Sequence, residues 1–234
     1  MAKYQHIADN ERVYPSINHK MNHKSARGKI IKNILAACSG IILLLTNTAP
    51  LDAYIVTYKE QFYRLYHLHH IQYPDDTMEN IYWLEKALAA DFCNPLYAEA
   101  LIENETQWEK YRYLFMMHIN LKLIEQYIFL GNKWNKRNAY FYNAPWKEQN
   151  LDSLDTAEKC YRTALYYWNS AKEWSEKALD KRFRFINLQR VQFWEDEAAR
   201  MESGGLDYEK TLNRELDLLQ NVRGQFEAMN NETY

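Results

Sequence analysis

Apolar and aromatic residues recur along most of the chain at the three- and four-residue steps of a helix face, and the breaks between runs are few. From Tyr54 to Ile71 they fall at Tyr54, Tyr58, Phe62, Leu65 and Leu68. Pro74-Asp75-Asp76 ends that run. Asp76 with Glu79 makes a D-x-x-E start, which opens a second helix to about Ala90. Asn94-Pro95 predicts a short helix with proline at its first position, where the missing N–H has no intrahelical partner to lose. Asn104 and Gln107 predict a third capped start, leading into a long helix that ends at Gly131. Its stripe is Trp108, Tyr111, Phe115, His118, Leu121, Ile124 and Ile128. Residues 131–150 break the pattern and read as a loop. Helical spacing resumes after Asp152-Ser153 and runs to about Met201. That stretch is too long for one globular helix, so a break is expected near Trp168-Asn169-Ser170. Glu202-Ser203-Gly204-Gly205 is the clearest turn. The last helix carries Leu212, Leu216, Leu219, Val222, Phe226 and Met229, a stripe assigned to packing.

Composition narrows the fold class. Gly 6 and Pro 5 in 234 residues leave too few turn residues for a sandwich or barrel of many short strands. Hydrophobic residues at 47% exclude a disordered chain, which lacks the apolar area to offset its ordering entropy. An all-α chain of stacked antiparallel helix hairpins is the architecture that fits.

The N-terminal fifth is different. Ile34 to Leu45 is an uncharged apolar run, preceded by Lys20, Lys24, Arg27, Lys29 and Lys32. Spanning a bilayer takes about 20 apolar residues, so the run fits a secretory signal better than a membrane helix. Residues 1–53 are therefore assigned as a signal peptide, with cleavage after Ala53, or as an uncleaved anchor. Asp9 and Glu11 are unusual ahead of a signal, and Met21 offers a more conventional start. Leu35-Ala36-Ala37-Cys38 matches a lipoprotein box, but the apolar run follows Cys38 rather than preceding it. With seven Lys/Arg and three Asp/Glu in residues 1–53, the 54–234 scaffold domain carries 22 and 28, a net charge of about −6. That balance disfavours phosphate-driven binding of nucleic acid. Cys93 and Cys160 both fall in helical patterns, where a buried free thiol is expected.

Two segments share a spacing of small and large residues. Asn80, Leu84, Ala87 and Leu88 repeat as Ala157, Tyr161, Ala164 and Leu165, the second-helix pattern of a tetratricopeptide repeat. Small residues let two helices approach while the large one fills the groove beside them. The matches lie 77 residues apart, which is no multiple of 34, and Asn80 stands where that pattern has Ala. The array is thus irregular. A broader likeness covers most of the chain. YPDDTMENIYWLEKALAADFCNPLYA from Tyr73, AYFYNAPWK from Ala139 and TALYYW from Thr163 resemble the small periplasmic flagellar collar proteins of spirochaetes. The resemblance implies a non-enzymatic structural subunit with tetratricopeptide-like helices. It would assemble with other collar, flagellar motor and stator proteins and support motility. A tetratricopeptide-like adaptor of another envelope transport or secretion complex is the alternative.

Candidate chemistry is sparse. His67-Leu68-His69-His70 places His67 and His70 one turn apart near Asp75 and Asp76, the one arrangement that suggests a metal-dependent enzyme. No second ligand pair at zinc-like spacing accompanies it, so no metal is assigned. His118 lies in an apolar stripe and reads as a core residue. The chain contains no nucleophile motif, phosphate loop or H-E-x-x-H, so no catalytic residue and no cofactor is assigned. Residues 131–150 are more informative. Lys133, Lys136, Arg137 and Lys147 interleave there with Trp134, Tyr140, Phe141, Tyr142 and Trp146. Trp, Tyr and Arg anchor protein interfaces, so Trp134, Arg137, Tyr140, Phe141, Tyr142 and Trp146 are the interface candidates. The competing reading has these rings folding back to cover the helices beneath.

Overall fold

The structure is a computed structural model and describes residues 55–230. The signal or anchor segment, the cleavage site after Ala53, the alternative start at Met21 and Tyr54 itself lie outside the described residues. Six α-helices follow in order: α1 Lys59–Gln72, α2 Thr77–Ala89, α3 Glu105–Trp134, α4 Lys147–Ala178, α5 Gln192–Glu202 and α6 Tyr208–Glu227. Single 3₁₀ turns at Pro95–Tyr97, Phe141–Trp146 and Lys181–Phe183 punctuate the connections. Among the described residues there is no strand, and no helix is long and apolar enough to cross a membrane.

The helix starts follow the caps written in the sequence. Asp76 accepts from the Glu79 N–H, Asn94 from Leu96, Asn104 from Gln107 and Asp207 from Lys210. Each satisfies one of the donors that a helix N-terminus leaves unpaired. Gly204 closes the turn before α6 with φ +73°, a left-handed conformation open to glycine at no steric cost.

The helices stack as antiparallel pairs. α1 and α2 are joined by a four-residue turn at 73–76. In the long α3–α4 pair, Tyr113 stacks on Trp174, Tyr127 on Tyr167, and Gly131 meets Tyr161. α6 runs back along α4, with Tyr208 against Trp168 at one end and Arg223 bonded to Asp155 and Glu158 at the other. α3 is central and buried around most of its circumference, which suits a helix apolar on several sides. The two small-residue motifs work as packing positions. Leu84, Ala87, Ala157, Tyr161 and Ala164 are all fully buried. The α1–α2 helices have 14 and 13 residues and the α3–α4 helices 30 and 32, so hairpins of very different length share one stack.

Three expectations need correcting. α1 begins at Lys59, and Tyr58 and Leu68 of its expected apolar face are exposed. Its buried positions are instead Lys59, Glu60 and Tyr66. Lys59 Nζ donates to the Ala87 and Leu88 carbonyls at the end of α2, and burial pulls its pKa below the ordinary lysine value. Glu60 accepts the Cys93 N–H at 3.0 Å and the Tyr111 hydroxyl at 3.3 Å. Second, α4 passes unbroken through Trp168–Ser170, and the break falls at 179–191. The buried stripe explains this: Leu154, Ala157, Tyr161, Ala164, Trp168, Ala171, Ser175 and Ala178 step by threes and fours without interruption and stop at Ala178. Third, α3 extends to Trp134 and α4 starts at Lys147, so within the 131–150 segment only residues 135–146 lie outside an α-helix, six of them in the 3₁₀ helix Phe141–Trp146. Cys93 and Cys160 are buried free thiols.

Candidate functional site

The histidines nearest the α1–α2 turn are turned toward one asparagine. Asn80 is fully buried, with Oδ1 2.9 Å from His69 Nδ1 and Nδ2 3.3 Å from His70 Nδ1. An amide oxygen accepts and an amide nitrogen donates, so His69 Nδ1 donates to Asn80 and His70 Nδ1 accepts from it. The residue that departs from the tetratricopeptide pattern therefore ties the hairpin end together. His67 is exposed and packs on Tyr63. Among the described residues no three His, Cys, Asp or Glu side chains are grouped to hold a metal ion.

His118 is only 1% exposed and sits at the centre of a three-residue chain. Its Nδ1 lies 2.6 Å from Glu197 Oε2 on α5, and its Nε2 lies 2.9 Å from the Tyr63 hydroxyl on α1. The carboxylate accepts the Nδ1–H, so Nε2 accepts and the Tyr63 hydroxyl donates. Burial, reinforced by neighbouring carboxylates, pushes the Tyr63 phenol well above its ordinary value. Burial also holds the His118 imidazole below 6.5, outweighing the pull of Glu197. The chain ties α1, α3 and α5 together through one buried imidazole.

A pH dependence follows. A histidine whose folded pKa is depressed binds fewer protons when folded, so stability is full above the unfolded value of about 6.5 and declines as pH falls toward the folded one. One such group contributes a slope of at most about 1.4 kcal/mol per pH unit. The melting temperature should therefore drop between about pH 7.5 and pH 5.5. His118→Gln, whose amide serves the same two partners, should flatten that drop in thermal melts across the range.

Above this chain lies a cleft of about 470 Å³ between α1, the segment before α5, and α5 itself. Tyr63, Val191 and Trp194 line it on the inside, with Leu68, Phe193, Arg64, Glu99 and Arg190 nearer the surface. Arg64 is held by Glu99 at 2.6 Å and by the Tyr97 carbonyl at 3.1 Å.

The interface candidates do not form one patch. Tyr140 stacks on Tyr142 at 5.2 Å with rings nearly parallel, and Phe141 meets Tyr142 edge-on. Trp146 follows at the end of the same 3₁₀ turn, and the four rings are between 47% and 65% exposed. Trp134 is half exposed and lines a separate cleft with Met78 and Leu130 beside the α1–α2 turn. Three of the four basic residues, Lys133, Arg137 and Lys147, are held within the chain. Arg137 pairs with the buried Glu215 of α6 at 2.7 Å. Lys147 bonds the Glu227 and Met229 carbonyls at the end of α6, and Lys133 bonds the Asp75 carbonyl and the Thr77 hydroxyl. The loop is thus anchored at both ends while its rings face outward.

Sequence reading found the rings and His118. It missed Tyr63 and Glu197, because these partners of His118 lie 55 and 79 residues away, and Arg190, whose left-handed backbone no local spacing marks.

With this geometry in view, one comparison is informative. Residues 106–229, from the first turn of α3 past the end of α6, match the model of a domain of unknown function (DUF8513). The match covers more than half of the chain, and the chain belongs to that family. No curated protein and no solved structure matches. The family region holds the anchored loop, His118 and Glu197, whereas Tyr63 and the α1–α2 hairpin precede it.

Proposed function

We propose that this chain is a non-enzymatic scaffold subunit of the periplasmic flagellar motor collar, binding other proteins through the aromatic surface of Tyr140, Phe141, Tyr142 and Trp146. The observation behind the scaffold reading is that four large rings stand exposed on a short segment whose ends are tied to α6 through Arg137 and Lys147. A pre-ordered aromatic surface loses little further entropy on binding. The flagellar assignment rests on the sequence resemblance of the runs from Tyr73, Ala139 and Thr163. On this reading the partners are other collar, motor and stator proteins, and the membrane enters only through residues 1–53 if they are retained. Nucleic acid and cofactors play no part.

In-cell cross-linking from a photoreactive residue at position 141, with mass spectrometry of the captured proteins, tests it. Collar, motor or stator proteins are the expected catch. Transport or secretion components would discard the flagellar assignment, and no protein partner would discard the scaffold. Tyr142→Ala and Trp146→Ala should each weaken capture about tenfold, as interface anchors do. Their melting temperatures should stay within about 2 °C of the parent, the range for surface substitutions. Arg137→Ala should behave differently. It leaves Glu215 buried with only Arg214 at 3.6 Å, so about 1–2 kcal/mol of stability should be lost in denaturant unfolding.

A further inference from the structure

The cleft above Tyr63 carries two features that the packing of the chain leaves unused. Arg190, on its rim, holds φ at +77°, the one non-glycine residue in the left-handed region among those described. A side chain there costs roughly 1–2 kcal/mol that glycine would avoid. Among the described residues its exposed guanidinium has no hydrogen bond, ion pair or ring contact. Trp194, on the inner wall, is 1% exposed, and its indole N–H has no hydrogen-bond partner. Such an orphaned buried donor is rare in a packed interior.

The neighbouring carboxylates have partners. Glu99 is paired with Arg64, and Glu197 beneath the floor accepts from His118 and lies 3.9 Å from Lys122. On the rim, Arg190 is exposed without an ion-pair partner among the described residues, and His67 packs on the Tyr63 ring. The walls are Tyr63, Leu68, Val191, Phe193 and Trp194, and the volume of about 470 Å³ lies within the range of small-ligand sites. We propose that this cleft binds a carboxylate carried on an apolar, ring-sized body. The carboxylate pairs with Arg190 in the forked geometry that a guanidinium offers. The body lies against Tyr63, Leu68 and Phe193, with Val191 and Trp194 on the inner wall behind it. The site shares no residue with the aromatic loop, so it stands or falls apart from the scaffold reading.

The same chemistry is offered by a free arylalkyl acid and by an aromatic C-terminal residue of another chain. Calorimetric titration of the full chain separates these sources. The probes are 3-phenylpropionate, 3-phenylpropanol, acetate, and a short peptide ending in phenylalanine as free acid and as amide. Saturable binding of 3-phenylpropionate is expected, with the alcohol and acetate at least about tenfold weaker, the equivalent of one charge-assisted pair. A peptide acid that outbinds 3-phenylpropionate, and loses that advantage as the amide, identifies a chain terminus as the natural ligand. A weaker peptide identifies a free acid.

Arg190→Gly is the decisive variant. It should melt at the parent temperature or a few degrees above, because glycine relieves the backbone, yet bind 3-phenylpropionate at least about tenfold more weakly. Should the glycine variant lose stability, Arg190→Gln supplies the same test with the backbone conformation unrelieved. Equal binding of the acid and the alcohol would overturn the proposal. So would unchanged affinity in both Arg190 variants, or no saturable binding of the acid by the parent chain.

Discussion

Trp194→Ala should remove about 3–5 kcal/mol of stability, the largest loss from any single substitution considered for this chain. Trp194 is the largest of the fully buried side chains. Its ring lies 5.1 Å from His118, 5.6 Å from Phe115 and Phe193, 5.8 Å from Tyr111 and 6.2 Å from Tyr63. Through those contacts α5 is seated on both α3 and α1, and alanine would leave a cavity bounded by rings too constrained to collapse into it. For a chain of this size the loss corresponds to a fall of about 6–20 °C in the melting temperature. Trp194→Phe should cost far less, about 1–2 kcal/mol, since it keeps a ring in the site and removes the unpaired indole donor. Thermal and urea unfolding followed by circular dichroism would measure both. A melting point for Trp194→Ala within 2–3 °C of the parent would show that α5 is not seated on α3 as described.

The parts of this fold that were legible in the sequence are those decided within a few residues. Asp76, Asn94 and Asn104 announced their helices because a cap and its target are three residues apart or fewer. Gly204-Gly205 announced a turn for an equally local reason. The all-α class was legible from long periodic runs and scarce turn residues. What was misread depended on partners elsewhere. Lys59 and Glu60 look like surface residues until the Ala87 carbonyl and the Cys93 N–H arrive from the far side of the α1–α2 hairpin. The break expected at Trp168–Ser170 was placed by length alone, whereas the stripe through Trp168 and Ala171 kept α4 intact against α3 and α6. The candidate site divides in the same way. The loop aromatics stood out by composition and are exposed, but Trp134 separates from the other rings because α3 carries it to the α1–α2 turn. His118 was recognised as a core residue without its partners. Arg190 gave no signal, since a left-handed conformation at a residue other than glycine is set by the chain around it.

Gly131→Ala tests whether the close approach of α3 and α4 is as tight as the spacing of their small residues implies. In an open helix, replacing glycine by alanine is stabilising by about 1 kcal/mol. At position 131 a Cβ would lie 2.6 Å and 2.9 Å from two carbons of the Tyr161 ring. That ring has no room to yield. It is fully buried, and its hydroxyl donates to Asn132 Oδ1 at 2.7 Å while accepting from Asn135 Nδ2 at 3.1 Å. The propensity gain should be overwhelmed by overpacking, with a net loss of about 1–3 kcal/mol. Gly224, on α6 with nothing within 4 Å of its would-be Cβ, supplies the contrast, and Gly224→Ala should gain about 0.5–1 kcal/mol. Combining Gly131→Ala with Tyr161→Leu should recover at least about 1 kcal/mol relative to the sum of the single effects, because the clash requires both side chains. Additive losses would mean that α3 and α4 are spaced more widely at this point. Asn135 opens the loop toward Tyr140–Trp146 and takes its bearing from Tyr161. If the loop binds partners as proposed, Gly131→Ala should therefore also weaken their capture, although position 131 itself is buried.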